Sequence, residues 1–324
     1  MIAAPHAVEA AQRLENELGL TVRRDAPLAP YTSARIGGPA DFLVEVRSAG
    51  ALEVAVRLLW ESATPLLILG GGSNVLISDR GVRGVVLLNR ARAVRFEAEA
   101  ESPSVWAESG AMLGTIARLA AERGLAGLEW AATVPGTLGG AIVGNAGAYG
   151  GDIAGCLMMA EILQHNGLRE SWRVERLDYG YRTSALKGHG GRFAVLAGCL
   201  RLEPSTPEAC RAKMQELAER REASQPGGAS MGSMFKNPPG DSAGRLIEAV
   251  GLKGLRVGGA RISEKHANFF LNEGIGTAAD VLSLVRTAQE KVAERFGVRL
   301  DLEIELLGDW TEAEISSLHW GDEA

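Results

Sequence analysis

The sequence predicts an α+β protein with a larger N-terminal region and a smaller C-terminal one, on three observations. Strand-like and helix-like periodicities alternate as far as about residue 200. Two prolines punctuate Glu203-Pro-Ser-Thr-Pro207, the strongest linker signal in the chain. A second set of elements with its own capped helix follows. The length of 324 residues fits roughly two domains at ~150 residues each.

In order, residues 7–18 read as a leading helix. Asp41–Val46 and Pro65–Leu69 read as strands flanking a helical stretch, Ala51–Ser62, and Gly84–Leu88 as a further strand. Helical spacing returns over Met112–Glu122, where Leu113, Ile116, Ala117 and Ala120 oppose Arg118, Glu122 and Arg123. After the linker, Ser205 or Thr206 caps a helix with Cys210, Met214 and Leu217 on one face. A short helix over Ser242–Val250 comes next. Thr277 and Asp280 form an N-terminal capping signature for a helix carrying Val281, Leu284, Val285, Ala288 and Val292, and Gly297 stops it. Val298–Leu306 alternates as a strand: Val298, Leu300, Leu302, Ile304 and Leu306 face one way, Arg299, Asp301, Glu303 and Glu305 the other. From Asp309 to residue 324 an acidic tail is expected to be solvated and loosely held.

Composition excludes several classes. Hydrophobic residues at 46% and charged residues at 23% fit a globular chain, neither disordered nor fibrous. A net charge of -6 supplies no basic face for nucleic acid. Cys156, Cys199 and Cys210 are odd in number and far apart, so neither a disulfide framework nor a zinc site is expected, and a reducing cytoplasm is the simplest setting. His6, His165, His189, His266 and His319 show no metal-ligand spacing. Glu9 comes early and no basic-then-apolar leader precedes it, so no secretory signal is expected. Trp130–Gly151 is uncharged, but Pro135 and seven glycines make it buried loop and turn rather than a membrane span.

Glycine is the unusual feature, at 41 residues against a typical ~7%. In Leu66-Leu-Ile-Leu-Gly70-Gly-Gly-Ser-Asn74 an apolar strand runs into Gly70, Gly71, Gly72, Ser73 and Asn74. Successive amides in such a loop form an anion nest suited to a pyrophosphate, or simply a tight turn. The loop leads into strand-like sequence rather than helix, and the chain has no G-x-G-x-x-G and no Gly-Lys dipeptide, against a Rossmann motif or P-loop. A second glycine-rich segment carries Pro135, Gly136, Gly140, Asn145 and Gly147, and two such loops in one domain would clamp a large flat cofactor and its diphosphate.

Two motif matches have simpler explanations. Gly228-Ala-Ser230-Met-Gly232 fits a nucleophile elbow by letter but lacks the strand before and helix after. Gly274-Ile-Gly276 reads as a turn into the Thr277-capped helix. Ser233, Lys236 and Asn237 lie in a polar loop, where a serine hydroxyl suits proton donation to a carbanion-like centre or the loop is merely a helix approach. Arg182, in Tyr179-Gly-Tyr-Arg-Thr-Ser184, suits a carboxylate or is merely exposed. Glu303 lies on the charged side of its segment.

Taken together these segments resemble the UDP-N-acetylenolpyruvoylglucosamine reductase family of flavoenzymes. The resemblance runs from Tyr31-Thr-Ser-Ala-Arg-Ile-Gly-Gly-Pro-Ala-Asp41 to Glu303-Ile-Glu-Leu-Leu-Gly308. Between them lie Leu69-Gly-Gly-Gly-Ser-Asn74, Val134-Pro-Gly136, Asn145-Ala-Gly-Ala-Tyr-Gly150, Tyr181-Arg-Thr-Ser184, Gly232-Ser-Met-Phe-Lys-Asn237 and Val257-Gly-Gly-Ala-Arg-Ile-Ser-Glu-Lys-His-Ala-Asn268.

The resemblance implies a vanillyl-alcohol-oxidase-type (PCMH-type) FAD-binding region in two subdomains, about 20–90 and 91–204, behind an N-terminal helix at 1–19. A substrate domain at 205–308 and the tail complete the plan. It implies non-covalent FAD held by the Gly70–Asn74 and Pro135–Gly150 loops, NADPH as reductant, and reduction of the enolpyruvyl sugar nucleotide, with hydride to C3. Ser233 matches the serine that protonates C2. Arg182 and Glu303 match the residues that polarise the substrate carboxylate and stabilise the enol-like intermediate, and a protonated Glu303 would donate a hydrogen bond to that charge. Asn237 matches a substrate contact, and Lys236 either eases loss of the serine proton or meets the UDP phosphates.

Two departures stand out. The short stretch between Arg182 and Ser233 indicates the family type without the extra tyrosine-bearing loop. Ser224 stands before Gln225-Pro226 where relatives often place lysine, so Arg220 or Arg221 would supply a phosphate contact. A monomer without membrane or nucleic-acid partners is expected. The competing readings are an FAD-dependent carbohydrate or alcohol oxidase, which often tethers flavin through a histidine absent from both glycine loops here, and a binding protein without turnover.

Overall fold

The computed structural model describes residues 4–99, 101–189, 191–316 and 318. Of the expected acidic tail, residues 317 and 319–324, His319 among them, lie outside the described residues. The chain divides into two compact units, each discontinuous in sequence: 1–24, 42–71 and 84–221 form one, and 25–41, 72–83 and 222–324 the other. The linear division expected at residue 205 is not the division of these units. The physical reason is the helix Pro207–Ser224, which buries Leu217 in the first unit's core despite the prolines before it. Just upstream, Glu203 pairs with Ala126.

The first unit has two hydrophobic clusters. One gathers the leading helix Pro5–Leu18, through Ala7, Ala10, Ala11 and Leu14, with the helix Ala49–Glu61 and the parallel strands Leu66–Leu69 and Val82–Asn89, which pair Leu66↔Val85 through Leu69↔Leu88. The Ala49–Glu61 helix starts at Ser48, whose hydroxyl accepts the Ala51 N–H and satisfies one of the orphan donors of a first turn. The second cluster lies on a five-stranded sheet in the order Arg169–Arg173, Leu157–Gln164, Phe193–Arg201, Ser104–Glu108, Val94–Glu97. Against it lies the helix Leu113–Glu122, burying Leu113, Ile116, Ala117 and Ala120 as their spacing predicts.

One helix was not expected. Leu138–Gly144, read from its glycines as loop, forms two helical turns because Leu138, Ala141 and Ile142 recur on one buried face. The glycines thin the helix so that it can approach its neighbours. A Cβ on Gly139 would lie 2.9 Å from Ser109 Cβ, and a Cβ on Gly198 of the central strand 2.8 Å from Ile142 Cδ1. Among the described residues no helix is long and apolar enough to cross a membrane.

The second unit has a four-stranded sheet in the order Ala229–Ser233, Phe269–Asn272, Ala260–Ile262, Arg256–Val257. It is packed with the helices Ala243–Ala249 and Ala278–Phe296 in one core around Phe235, Phe270, Leu284 and Val292. The Thr277–Asp280 capping box forms in full, and Gly297 closes the helix at φ +64°. Asp79 adds its carboxylate to that N-terminus, accepting from Ala278 and Ala279 N–H, where the helix dipole favours an anion.

Val298–Leu306 departs from expectation. Leu300 and Ile304 are buried as the alternation requires, but ladder pairing is confined to Glu305–Leu307, parallel to Val75–Ile77, with one bridge from Phe235 to Leu302. Upstream, backbone groups find other partners: Gln289 Nε2 donates to Leu300 C=O, and Asp301 C=O accepts Lys236 N–H. The start of the tail is also better held than expected. Glu312–Ile315 is a short helix with a Thr311 capping box, Arg80 pairs with Glu314 at 2.7 Å, and Leu318 is buried.

Candidate active site

In the first unit the two glycine-rich segments meet. A Cβ on Gly70 would stand 2.3 Å from Thr137 Oγ1, so the strand end lies directly on the N-cap of the Leu138–Gly144 helix. Arg90 fixes the Gly70 carbonyl at 3.0 Å, Gly136 turns the chain at φ +112°, and its carbonyl accepts Leu113 N–H. Gly140 lies within the helix, and Pro135 is exposed. At the helix C-terminus Asn145 adopts the left-handed conformation. Its side-chain oxygen accepts Ala154 N–H and its NH2 donates to Gly180 C=O, so this buried residue acts through the shape of the loop.

The Tyr179–Ser184 segment completes that corner. Tyr179 and Ser184 donate hydroxyls to Ile142 and Val143 C=O, satisfying carbonyls that a helix end leaves open. Burial pushes the Tyr179 phenol up, as befits a hydroxyl used as a neutral donor. Arg182 sits at φ +58°, a left-handed conformation that bulky residues adopt only when surroundings enforce it. Its guanidinium donates to Gly147 C=O at 3.0 Å, and Lys187 Nζ donates to Arg182 C=O.

Two more arginines reach the same turn: Arg220 stacks its guanidinium over the Tyr149 ring at 5.4 Å, and Arg221 lies within electrostatic reach of Tyr149. Burial lowers the Arg221 pKa. Arg182, Arg220 and Arg221 thus gather at the Gly147–Gly150 turn. The hydroxyls of Thr133 and Tyr149 are buried with no hydrogen-bond partner among the described residues, an arrangement that a polar ligand would satisfy.

In the second unit Gly72 brings its backbone against Tyr31. A Cβ there would fall 2.2 Å from Tyr31 C=O, and Ser33 N–H donates to Gly72 C=O. Ser73 follows, and Asn74 meets the segment that carries Glu303. Asn74 Nδ2 donates to Glu303 C=O at 3.0 Å and Asn74 C=O accepts Glu305 N–H at 2.9 Å. Glu303 N–H in turn donates to Met234 C=O, one residue beyond Ser233. Ser233 and Glu303 are therefore carried on neighbouring segments in fixed register, and both side chains are half-buried.

Ser233 itself pairs with Phe269 after an irregularity that begins at Ser230, with Gly232 at φ +80°; such a bulge re-aims a strand's side chains. Ser230 lies inside this strand, which is not the setting of a nucleophile elbow. Lys236 is half-buried, and Asn237 Oδ1 accepts Ala243 N–H. Sequence reasoning gave no role to Thr137 or to Asn268. The former shows only as a polar residue after Gly136, the latter only as the end of a motif.

Residues 224–307 match the family profile of the UDP-N-acetylenolpyruvoylglucosamine reductase C-terminal domain, and residues 40–169 that of an FAD binding domain. The UDP-N-acetylenolpyruvoylglucosamine reductase of Chloroflexus aggregans is 45% identical, covering 91% of this chain and 100% of that protein. That of Rubrobacter xylanophilus is also 45% identical, over 88% and 95%. The crystal structure of UDP-N-acetylenolpyruvylglucosamine reductase (MurB) from Thermus caldophilus superposes with a TM-score of 0.75 at 37% identity, covering 89% of this chain and 99% of that one. The α+β fold with an FAD-binding region and a separate C-terminal domain is that of these relatives, and the chain belongs to the UDP-N-acetylenolpyruvoylglucosamine reductase family.

Proposed function

We propose that this chain reduces the enolpyruvyl group of UDP-N-acetylglucosamine enolpyruvate to give UDP-N-acetylmuramate, a peptidoglycan precursor, with FAD bound non-covalently and NADPH as reductant. The observation that carries the reading is the register in the second unit, where the backbone hydrogen bond from Glu303 N–H to Met234 C=O joins the segments that carry Ser233 and Glu303. The residues present fit FAD. Gly70 lets the end of its strand lie directly on Thr137, which brings the two glycine-rich segments together, and the Thr133 and Tyr149 hydroxyls offer buried polar groups. Gly70, Gly71, Gly72, Ser73, Asn74, Pro135, Gly136, Gly140, Asn145 and Gly147 would frame it, Asn74 and Asn145 through the loops they tie. Bound FAD supplies the two-electron chemistry.

Reduction at C3 of an enol ether leaves negative charge on C2 and in the adjoining carboxylate. Arg182, held at a strained backbone position, supplies a fixed positive charge that is worth more as this charge develops than before it. Glu303, carrying a proton, donates to the same charge. Ser233 Oγ–H delivers its proton to C2, and Lys236 either lowers the cost of the resulting alkoxide or meets a UDP phosphate. Arg221 and the NH2 of Asn237 serve the nucleotide. We place the enzyme in the cytoplasm as a monomer of 34.2 kDa without membrane or nucleic-acid partners. Its three buried free cysteines agree with a reducing compartment, and sedimentation checks its mass.

The test is Ser233→Ala. Bleaching of the flavin by NADPH is expected to stay near the native rate, while reoxidation by the enolpyruvyl substrate slows by at least about 10²-fold, the usual share of a general acid. Native-rate reoxidation removes Ser233 from the role.

A further inference from the structure

From the hydrogen bonding around Phe235 we infer that Asn268 is a positioning residue for this reaction, holding Ser233 and Glu303 in mutual register through the backbone of Met234–Lys236. The inference rests on the roles proposed above for those two side chains.

The strand carrying Ser233 loses its regular partner just where function needs precision. Pairing with the Phe269–Asn272 strand is irregular from Ser230 and ends at Ser233↔Phe269. Beyond that point Asn268 takes over. Its backbone C=O accepts Met234 N–H at 2.7 Å, its side-chain Oδ1 accepts Phe235 N–H at 2.9 Å, and its Nδ2 donates to Phe235 C=O at 2.8 Å. One amide side chain thus replaces a missing residue of β ladder. It is 3% exposed, and Phe235 is fully buried, so no water competes for these groups.

The opposite edge of the same segment bonds to the Glu303 region. Met234 C=O accepts Glu303 N–H, Lys236 N–H donates to Asp301 C=O, and Phe235 bridges Leu302. Ser233 and Glu303 therefore reach each other through a strip clamped by Asn268. Asn268 is itself oriented by donating its N–H to His266 Nδ1 at 3.2 Å. The clamp needs one donor and one acceptor at fixed spacing. Alanine supplies neither, and aspartate sets an oxygen against the Phe235 carbonyl.

Stopped-flow half-reactions of Asn268→Ala, Ser233→Ala and the double variant test this, with amide hydrogen exchange at Met234 and Phe235 as a readout independent of turnover. Asn268→Ala is expected to exchange faster at those amides, to accept electrons from NADPH at close to the native rate, and to be reoxidised by the enolpyruvyl substrate about 10- to 100-fold more slowly, the cost of misplacing a reacting group. Because Asn268 acts through Ser233, the double variant is expected to be no more than about twofold slower than Ser233→Ala.

Native-rate reoxidation of Asn268→Ala beside a slow Ser233→Ala overturns the inference and leaves the proposed function standing, as do multiplying effects in the double variant. Native-rate reoxidation of Ser233→Ala instead removes the reading beneath both. If Asn268→Ala does not fold, Asn268→Asp preserves volume and the same comparisons apply.

Discussion

Replacing Gly70 by alanine tests whether the two glycine-rich segments together make the flavin cradle. The added Cβ would stand 2.3 Å from Thr137 Oγ1, 3.3 Å from Cγ2 and 3.4 Å from Cβ. Thr137 is 3% exposed, so its side chain has little room to turn aside in the packed interior and the strand end and the helix start are expected to move apart. Overpacking of this kind costs about 1–3 kcal/mol. If the strain falls on the cradle, FAD affinity drops about 5- to 150-fold. The assay is titration of apoprotein with FAD, followed by flavin fluorescence, beside a thermal melt. Thr137→Ala removes both clashing atoms and leaves only the 3.4 Å contact, so Gly70→Ala/Thr137→Ala should recover most of the loss. Native FAD affinity and melting in Gly70→Ala, or no recovery in the double variant, would refute the reasoning.

Three further outcomes follow from the same packing. His266 has its pKa lowered from 6.5, chiefly by burial and further by Lys253, with Glu248 opposing, and its neutral Nδ1 accepts Asn268 N–H. The unfolded chain therefore binds the proton more readily, and the stability His266 confers is present above about pH 6.5 and lost as pH falls through the folded value. Denaturant unfolding of native protein and His266→Gln from about pH 7.5 to 5 should show the native protein losing more, and parallel curves would count against it. Cys156, whose thiol burial pushes up to about 12, should resist alkylation at about pH 8 in folded protein and react once unfolded, because only the thiolate is the nucleophile. Asp79→Ala removes the acceptor of two N–H groups at the start of Ala278–Phe296 and should cost about 1–2 kcal/mol in urea unfolding; no change would deny the carboxylate its capping role.

What was legible in the sequence was what local chemistry decides. The Thr277–Asp280 box, the Gly297 stop and the Leu113–Ala120 stripe each fix their element within a few residues, and each stands where expected. Leu138–Gly144 was hidden because its glycines argue for a turn by propensity, while their real role, close approach to Ser109, is a tertiary fact. Val298–Leu306 shows the converse. Its alternation reports burial faithfully, but its partners before Glu305 are Gln289 and the Met234–Lys236 backbone, which no periodicity reveals.

The assignment of 72–83 to the C-terminal unit depends on pairings more than two hundred residues apart in sequence, such as Ser78 Oγ to Asp309 C=O. For the proposed site, the roles of Ser233, Arg182 and Glu303 came from motifs that resemble a family. The role inferred for Asn268 had no such signal, because a residue proposed to act through another's backbone carries no reactive signature of its own.

The most direct measurement mixes enzyme, reduced anaerobically with NADPH, with the enolpyruvyl sugar nucleotide in deuterated water. The account predicts that the yellow absorbance returns in step with one equivalent of UDP-N-acetylmuramate carrying solvent deuterium at C2. Reduced flavin that persists until oxygen is admitted, with the sugar nucleotide unchanged, would contradict it.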